Sequence, residues 1–257
     1  MTESSRKWLK KVIITADVYA ICLQHVLSTE KEEVMGILLG NVDEVNRISH
    51  ISACTILSRL DKQPDRVEIS PEQLFNASMY AETLTKRLGR QLRVIGWYHS
   101  HPHITVWPSH VDLRTQALYE MMDNYFVGII FSVYPKNTGS SDNQIQMIAF
   151  QSQTNRDDLN PKIEIDNSRL ESHNLEALTT LPKMLVQEEV QQHQDKDQEC
   201  PDLLIKLHND ALKTLKHVHI VSKITRPMCD DLEERLNVTN LRIEELRRIK
   251  KNLQSKK

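Results

Sequence analysis

The sequence predicts an α/β fold, with a mixed β-sheet flanked by helices, followed by a C-terminal helical region that ends in a coiled coil. Up to about residue 170, short β-rich runs alternate with amphipathic helical segments, which favours helices packed on a sheet. Beyond that point the chain is nearly free of glycine, rich in charge and helical in its pattern. We therefore divide the chain into a first region, residues 1–168, and a second region, residues 169–257.

The first elements are predicted from apolar patterning. A strand at Lys11–Ile14 precedes a helix at Asp17–Leu27, whose apolar residues recur on one side at helical spacing. Val34–Leu39 is a continuous apolar run closed by Gly40, which predicts a buried strand that ends there. Ile48–Leu57 is predicted as a further strand.

The second helix has sequence signals at both of its ends. Ser70 as N-cap, followed by a proline and by Gln73 three residues after the cap, predicts a helix start. The helix is expected to cover Pro71–Leu88 and to stop at Gly89. The alternating run Val67–Ile69 before it is predicted to be extended.

The remaining elements of the first region surround a third helix, predicted at Ser109–Asp123. Its buried face is expected to consist of Leu113, Ala117, Leu118 and Met121. The strands around it are predicted at Val94–Tyr98, Phe126–Val133, Gln144–Gln151 and, at a sheet edge, Lys162–Asp166. Lys136–Asn143 has the composition of a loop.

Apolar residues near the C-terminus recur at alternating spacings of four and three, which is the pattern of a coiled-coil seam. This seam, with polar breaks at Thr239 and Lys250, comprises Leu232, Leu236, Ile243, Leu246 and Leu253. A weaker seam lies upstream, and Arg226-Pro227 is predicted to separate the two helices. The seam packs either against the first region or, as its length favours, against a partner helix.

The start of the second region is also helical in its pattern, from Leu170 to His193. Pro182 is predicted to kink or break this helix. Gln187–Glu199 is almost entirely polar and is expected to be an exposed helix end or a linker.

Composition excludes several classes of function. The chain has 257 residues, 39% of them hydrophobic, and a formal net charge of −2, so no basic field points to nucleic acid. No apolar run approaches the ~20 residues of a membrane helix, and the first eight residues lack the apolar core of a signal peptide. The four cysteines form no CxxC pair and indicate reduced thiols of a cytosolic or nuclear protein. They are Cys22, Cys54, Cys200 and Cys229.

The segment from residue 99 to residue 112 carries the chemistry. His99 and His101 follow a buried strand, and residues i and i+2 of a strand project from the same face. Asp112 can add a carboxylate, so that two nitrogens and one oxygen could hold a single ion. Three protein ligands with a fourth position open for water are the arrangement of a catalytic zinc site.

Each of these residues also has a structural explanation. A histidine pair at the end of a strand is often a set of ordinary surface or core residues, and Ser109-x-x-Asp112 before a helix is close to a capping box. The pair His217 and His219 lies in helical sequence, where i and i+2 do not share a face, so we assign it no metal. His103 and His110 are kept as lesser candidates beside the site.

The joint spacing of these residues resembles a family motif. His99-x-His101, seven residues, Ser109, two residues and Asp112 is similar to the JAMM signature of the MPN+ zinc metalloproteases. That signature also requires an upstream glutamate, and Glu33 stands at the head of an apolar strand. Within the family, the wording of the motif resembles the deubiquitinase subunit of the BRISC and BRCA-A (Abraxas) complexes, and the likeness covers most of the chain.

The resemblance implies a function and a role for each site residue. The first region is expected to be an MPN (JAB1/MPN/Mov34-type) catalytic domain that binds one Zn²⁺ per chain and hydrolyses isopeptide bonds in 63-linked polyubiquitin. Glu33 would be the general base and acid, and Ser109 would cap a helix, donate to the oxyanion, or both. Trp107 either walls the substrate groove or is a core aromatic. The alternatives are a non-catalytic MPN scaffold and an isopeptidase for another ubiquitin-like modifier.

The resemblance also implies partners. A related pseudo-enzyme MPN subunit of the Abraxas type is expected to bind through MPN and coiled-coil contacts, within a larger assembly. Activity is expected to depend on that partner. The chain is expected in both the cytoplasm and the nucleus.

Overall fold

The computed structural model describes residues 8–29, 32–58, 69–135, 143–152, 160–167, 171–199 and 202–254. The strands, in chain order, are β1 (Lys11–Thr15), β2 (Met35–Asp43), β3 (Ile48–Ile56), β4 (Arg93–Pro102), β5 (Val127–Pro135), β6 (Asn143–Phe150) and β7 (Lys162–Asp166). The helices are α1 (Ala16–Val26), α2 (Pro71–Leu88), α3 (His110–Met122), α4 (Ser172–Glu199), α5 (Leu203–His219) and α6 (Arg226–Gln254). A π-helical turn over Ile220–Thr225 joins the last two helices.

The chain forms two compact units, residues 1–184 and 185–257. The first unit contains the sheet, and the second contains α5, α6 and the end of α4. A domain boundary at residue 168 stays a prediction. Among the described residues, no helix is both long enough and apolar enough to cross a membrane.

The seven strands form one sheet in the order β6-β5-β4-β2-β3-β1-β7. β4 lies between β2, to which it is antiparallel, and β5, to which it is parallel. β1 is parallel to both β3 and β7, so the sheet is mixed, as predicted. β7 is the edge strand that the sequence indicated.

Helices cover both faces of this sheet. Trp97 of β4 packs with Tyr119 of α3, in a core that also contains residues of α2. The next residue, Tyr98, is hydrogen-bonded to His25 of α1 at 2.9 Å. Because successive strand residues face opposite sides, α1 lies on the face opposite to α2 and α3. The α/β fold with helices flanking a mixed sheet is thus confirmed.

Asp17 ties the first helix to the start of α4. One carboxylate oxygen accepts hydrogen bonds from the Glu171 backbone N–H at 2.8 Å and from the Asn174 side chain at 2.9 Å. The other oxygen accepts from the Val18 N–H at 3.0 Å. Burial raises the pKa of Asp17, but these hydrogen bonds lower it, and the net pKa lies below its ordinary value.

The predicted end of the second strand is wrong. β2 does not stop at Gly40 but continues to Asp43, with a register shift between Leu39 and Gly40 where it pairs with β3. A Cβ atom at Gly40 would lie 1.9 Å from the carbonyl oxygen of His50. The glycine therefore permits a close approach of two strands, which its sequence neighbourhood does not reveal.

The second helix is confirmed in detail. The side chain of Ser70 accepts from the Gln73 N–H at 3.1 Å, and the Gln73 side chain accepts from the Ser70 N–H at 2.9 Å. Gly89 closes the helix with a left-handed φ of 66°. Of the extended run predicted just before it, residues 67 and 68 lie outside the described residues, and Ile69 is not in a strand.

The third helix is where it was predicted, but its predicted buried face is wrong. Leu118 and Met121 are exposed, by 53% and 82%. Of the other two residues predicted to be buried, Leu113 and Ala117 are only half-buried. The buried side chains are Asp112, Thr115, Gln116, Tyr119 and Glu120. Asp112, Gln116, Tyr119 and Glu120 each make a hydrogen bond there, which compensates for the burial of their polar groups.

Two predicted interruptions of the C-terminal region are also corrected. α4 runs through Pro182 to Glu199 without a break, so the predicted break is wrong and a kink stays a prediction. Gln187–Glu199 is a helix end rather than a linker, but Glu188 and Glu189 within it are buried. Arg226-Pro227 does not separate two helices either, because the chain stays helical through the π turn. The Arg226 N–H donates to the carbonyl of Val221, five residues back. Since Pro227 has no N–H and clashes in a regular α-helix, widening the preceding turn accommodates it.

The coiled-coil seam of α6 is largely uncovered. Leu236, Ile243, Leu246 and Leu253 are between 41% and 64% exposed, and Leu232 is half-buried. Met228 is the buried residue of this helix. Within the described part of the second unit, these four seam residues are not buried by neighbouring side chains.

Candidate metal centre

Strand β4 brings the two motif histidines together. His99 and His101 are buried, and their Nε2 atoms lie 3.1 Å apart. Ser100 lies between them in sequence and is tied to the adjacent chain segment. Its N–H donates to the Val34 carbonyl, and its Oγ accepts from the Val34 N–H, both at 2.9 Å. The pair is thus held on a central strand with fixed neighbours.

Asp112 completes the group from the first turn of α3. Its Oδ1 is 3.3 Å from His99 Nε2, and its Oδ2 is 3.5 Å from His101 Nε2. Donor atoms at about 2.0–2.1 Å from a tetrahedral zinc ion are separated from one another by about 3.3 Å. One donor atom from each of the three residues lies within 4.8 Å of the other two, so together these residues could hold one such ion.

The carboxylate ligand Asp112 is hydrogen-bonded to Ser109, the N-cap residue of the same helix. The Ser109 N–H donates to Asp112 Oδ2 at 2.7 Å, and the Asp112 N–H donates to Ser109 Oγ at 3.2 Å. This is a complete capping box, as one explanation of the sequence had it. It also fixes the carboxylate toward the histidines, so the two explanations are compatible.

His101 has a hydrogen bond that suits a metal ligand. Its Nδ1 lies 2.7 Å from the carbonyl oxygen of Thr105. A carbonyl can only accept, so Nδ1 carries the proton and Nε2 can be free to bind a metal. The chain reaches Thr105 through a turn at His103, whose φ is +58°. His103 and His110 are exposed and do not belong to the ligand group.

Burial and charge act in opposite directions on this group. Burial raises the pKa of Asp112, but hydrogen bonds with His101, His99 and Ser109 lower it well below its ordinary value. Burial lowers the pKa of His101, but the hydrogen bond with Asp112 raises it, and the net pKa lies above its usual one. The site thus favours an anionic carboxylate beside positive charge, which a metal cation can supply.

Glu33 lies beside the ligands rather than among them. It immediately precedes Val34, whose N–H and carbonyl are both hydrogen-bonded to Ser100. The side chain of Glu33 is half-buried. Its negative charge also contributes to raising the pKa of His101. Glu32, its neighbour in sequence, is exposed. The position of Glu33 suits a group that exchanges protons at the site without binding the ion.

Apolar side chains are exposed next to the site. Trp107 is 49% exposed, so it is not a core aromatic. Ile104 and Val111, on either side of it in sequence, are 49% and 55% exposed. The loop Lys136–Asn143, predicted between β5 and β6, lies outside the described residues up to residue 142.

Comparison with known proteins gives the family. Residues 7–125 match the family described as JAB1/Mov34/MPN/PAD-1 ubiquitin protease, and residues 174–253 match the BRCC36 C-terminal helical domain. A protein of Camponotus floridanus named Lys-63-specific deubiquitinase BRCC36 is 47% identical over 249 residues, which cover 96% of each chain. The chain belongs to the BRCC36 family.

Other BRCC36 proteins match over a similar span. The one from Xenopus tropicalis, also named Lys-63-specific deubiquitinase BRCC36, is 42% identical over 95% of this chain and 96% of its own. The one from Rattus norvegicus is 39% identical over 95% of this chain and 94% of its own. Family membership makes this chain a metallo-isopeptidase of the JAMM class, a deubiquitinase, and implies a metal ion at the site. The predicted MPN domain with its helical C-terminal region is confirmed.

The structure adds residues to this BRCC36-family site that sequence reasoning missed. Ser100 and Thr105 act through hydrogen bonds to Val34 and to His101, and nothing in the sequence identifies those partners. Trp97 stacks on His99, with ring centroids 4.5 Å apart. Its position two residues before His99, on the same strand face, is a signal that could have found it.

Proposed function

We propose that this chain hydrolyses isopeptide bonds in 63-linked polyubiquitin and that its metal is Zn²⁺. The observation that carries the proposal is the buried group of His99, His101 and Asp112, with Glu33 beside it. The names of the relatives from three animals support the linkage, since each is called Lys-63-specific. Two imidazoles and one carboxylate are a donor set that suits zinc.

His99, His101 and Asp112 would hold the ion and leave one position open. A zinc ion bound there would supply Lewis acidity and lower the pKa of water to about 7. Glu33 then takes the proton of the attacking water and delivers it to the departing lysine amine. Its half-buried position, adjacent to the strand that carries the ligands, supports this role.

Ser109 is suited to stabilise the oxyanion. Its Oγ accepts a hydrogen bond from the Asp112 N–H, which holds the oxygen next to a residue of the metal group. A hydroxyl that accepts one hydrogen bond still has its proton to donate. It donates that proton to the negative oxygen of the tetrahedral intermediate.

The exposed apolar residues beside Ser109 suit a substrate groove. Trp107 and Ile104 precede the helix, and Val111 lies in its first turn. An extended polypeptide that approaches the open metal position passes these side chains, and burying them against it favours binding. Trp107 is therefore the residue of this groove that we expect substrate to contact first.

The second unit binds a partner through the seam of α6. The helix has 29 residues and is thus about 43 Å long, with exposed leucine and isoleucine at heptad spacing. A pseudo-enzyme MPN subunit of the Abraxas type suits this role, within a BRISC- or BRCA-A-like assembly in the cytoplasm and nucleus. The same partner would contact the MPN domain and make the site active.

Zinc content and cleavage of 63-linked di-ubiquitin test the catalytic part. Glu33→Gln should retain zinc but lose at least a hundredfold in kcat, because the proton carrier is removed. Glu32→Gln is the matched control, since it makes the same change one residue away at an exposed position. Equal cleavage by Glu33→Gln, or a native protein without zinc, contradicts the proposal. Faster cleavage of another linkage or of another ubiquitin-like modifier contradicts the substrate assignment.

A pair of variants tests the partner. Leu246→Asp introduces a negative charge on the seam. The control Arg248→Asp introduces the same aspartate two residues later, at a position outside the seam. Only the first should abolish binding of the coiled-coil partner and the partner's stimulation of cleavage. Full activity of the native chain alone would refute the dependence on a partner.

A further inference from the structure

The two histidines of the metal group are held in different ways. His101 has a hydrogen bond from Nδ1 to the Thr105 carbonyl. The Nδ1 atom of His99 is buried and has no hydrogen-bond partner within the described part of the chain. A metal-binding histidine usually has its second nitrogen fixed by a hydrogen bond, so something else must orient the His99 ring.

The ring of Trp97 lies flat against that of His99. Their centroids are 4.5 Å apart and their planes differ by 14°, which is a stacked arrangement. Both side chains are completely buried. Phe150 meets the two rings edge-on, at 6.3 Å from Trp97 and 6.4 Å from His99. The stacked indole therefore fixes the orientation of the His99 ring plane.

The indole is itself anchored by a series of buried hydrogen bonds. Trp97 Nε1 donates to Gln116 Oε1 at 2.8 Å. The Gln116 amide nitrogen donates to Glu120 at 2.9 Å and to the Phe126 carbonyl at 2.8 Å, which fixes its oxygen toward Trp97. Glu120 accepts in turn from the backbone N–H and the hydroxyl of Ser152. Gln116 and Glu120 are fully buried, so this series of hydrogen bonds is rigid and specific in its geometry.

We propose that Trp97, anchored by Gln116, is the positioning residue that orients His99 for the metal. It substitutes, by stacking, for the hydrogen bond that His99 Nδ1 lacks. Two residues of the polar buried face of α3, Gln116 and Glu120, thus hold this indole in place. The inference rests on the proposed zinc site, but it concerns a residue that touches neither metal nor substrate.

Zinc affinity, measured with the full chain by competition against a chelator, tests the inference. Trp97→Leu removes the stacking face and should weaken zinc binding about a hundredfold, at the upper end of what such supporting residues contribute. Trp97→Phe keeps a ring but loses the anchor and should weaken it by about tenfold. Phe131→Leu is the matched control. It also removes a fully buried strand aromatic, but on the opposite face of the sheet, where Phe131 packs on Tyr98.

Loss of core packing alone would lower the melting temperature in all three variants and leave zinc affinity unchanged. Zinc affinity of both Trp97 variants within twofold of the native value overturns the inference. So does an equal loss of affinity in Phe131→Leu. If Trp97→Leu does not fold, Trp97→Phe against Phe131→Leu decides in the same way.

The visible absorption of bound Co²⁺ gives a second readout, because it reports the ligand geometry directly. Trp97→Leu should change this spectrum, while Phe131→Leu should keep the native one. An unchanged spectrum in Trp97→Leu contradicts the positioning role. Failure of the proposed function looks different: the native protein itself would then bind no zinc, or Glu33→Gln would cleave as fast as the native protein.

Discussion

Replacing Ser109 by alanine removes a hydroxyl with two separable effects. The hydroxyl oxygen caps α3 by accepting from the Asp112 N–H at 3.2 Å, near the long end of the hydrogen-bond range. Loss of an N-cap side chain costs about 0.5–2 kcal/mol, and this length favours a value of about 1 kcal/mol or less. For a unit of 184 residues, that corresponds to a fall of about 2–4 °C in melting temperature.

The catalytic effect of the same substitution should be much larger. If Ser109 donates to the oxyanion, its loss lowers kcat by about 10²–10³, equivalent to roughly 3–4 kcal/mol of transition-state stabilisation. Ser109→Gly separates the two effects, because glycine is an adequate N-cap and costs only a few tenths of a kcal/mol. The glycine variant should keep nearly native stability and yet be as slow as the alanine variant.

The chain offers a matched control for the cap. Ser70 heads α2 in the same capping box with Gln73, at a comparable 3.1 Å. Ser70→Ala should therefore lower the melting temperature by about as much as Ser109→Ala and leave kcat unchanged. The assay is single-turnover cleavage of 63-linked di-ubiquitin beside thermal unfolding. A kcat of Ser109→Gly within threefold of native refutes the oxyanion role and leaves Ser109 as a cap alone.

Removing the metal and titrating a buried carboxylate give two further predictions. Chelation should abolish cleavage and lower the melting temperature, and zinc at about 100 times its Kd should restore about 2.7 kcal/mol of stability. The stability of His101→Ala should not depend on zinc in this way. Cleavage by the metal-free protein would contradict the prediction. Asp17→Asn should lower the free energy of unfolding by about 2 kcal/mol near neutral pH, since the bonds from Glu171 and Asn174 lose their charged acceptor. Because the folded pKa of Asp17 is depressed, this difference is fully present above the unfolded pKa of about 4 and shrinks as pH falls through the folded value. A difference between the two proteins that does not vary with pH in denaturant unfolding would refute it.

Local chemistry made much of this fold predictable. The capping boxes at Ser70 and Ser109 and the left-handed Gly89 are set by residues within one helical turn of each other. The pairing of His99 with His101 follows from the strand period alone. Asp112 could also be predicted as the third ligand, because the motif specifies its spacing from the two histidines although it lies on the next helix.

The remainder depended on partners distant in sequence. Gln116 of α3 is buried where it accepts a hydrogen bond from Trp97, and no pattern within the helix reveals that bond. Gly40 was wrongly predicted to end a strand. A glycine is needed there because the carbonyl of His50, on the neighbouring strand, leaves no room for a Cβ atom. Pro227 looked like a break because the widened turn that accommodates it has no sequence signal of its own.

That widened turn between α5 and α6 behaves like a one-residue insertion in an otherwise regular helix. Each residue of an α-helix advances by about 100°, so the extra residue rotates everything beyond Thr225 around the axis by that angle. The apolar rows of α5 and α6 are consequently out of phase, and no single straight helix can follow both. A helix that packed along both rows would need a compensating irregularity at the same level, or two separate segments. Of two helices with equally many leucines, only one whose apolar residues follow this angular offset could contact both rows along their full length.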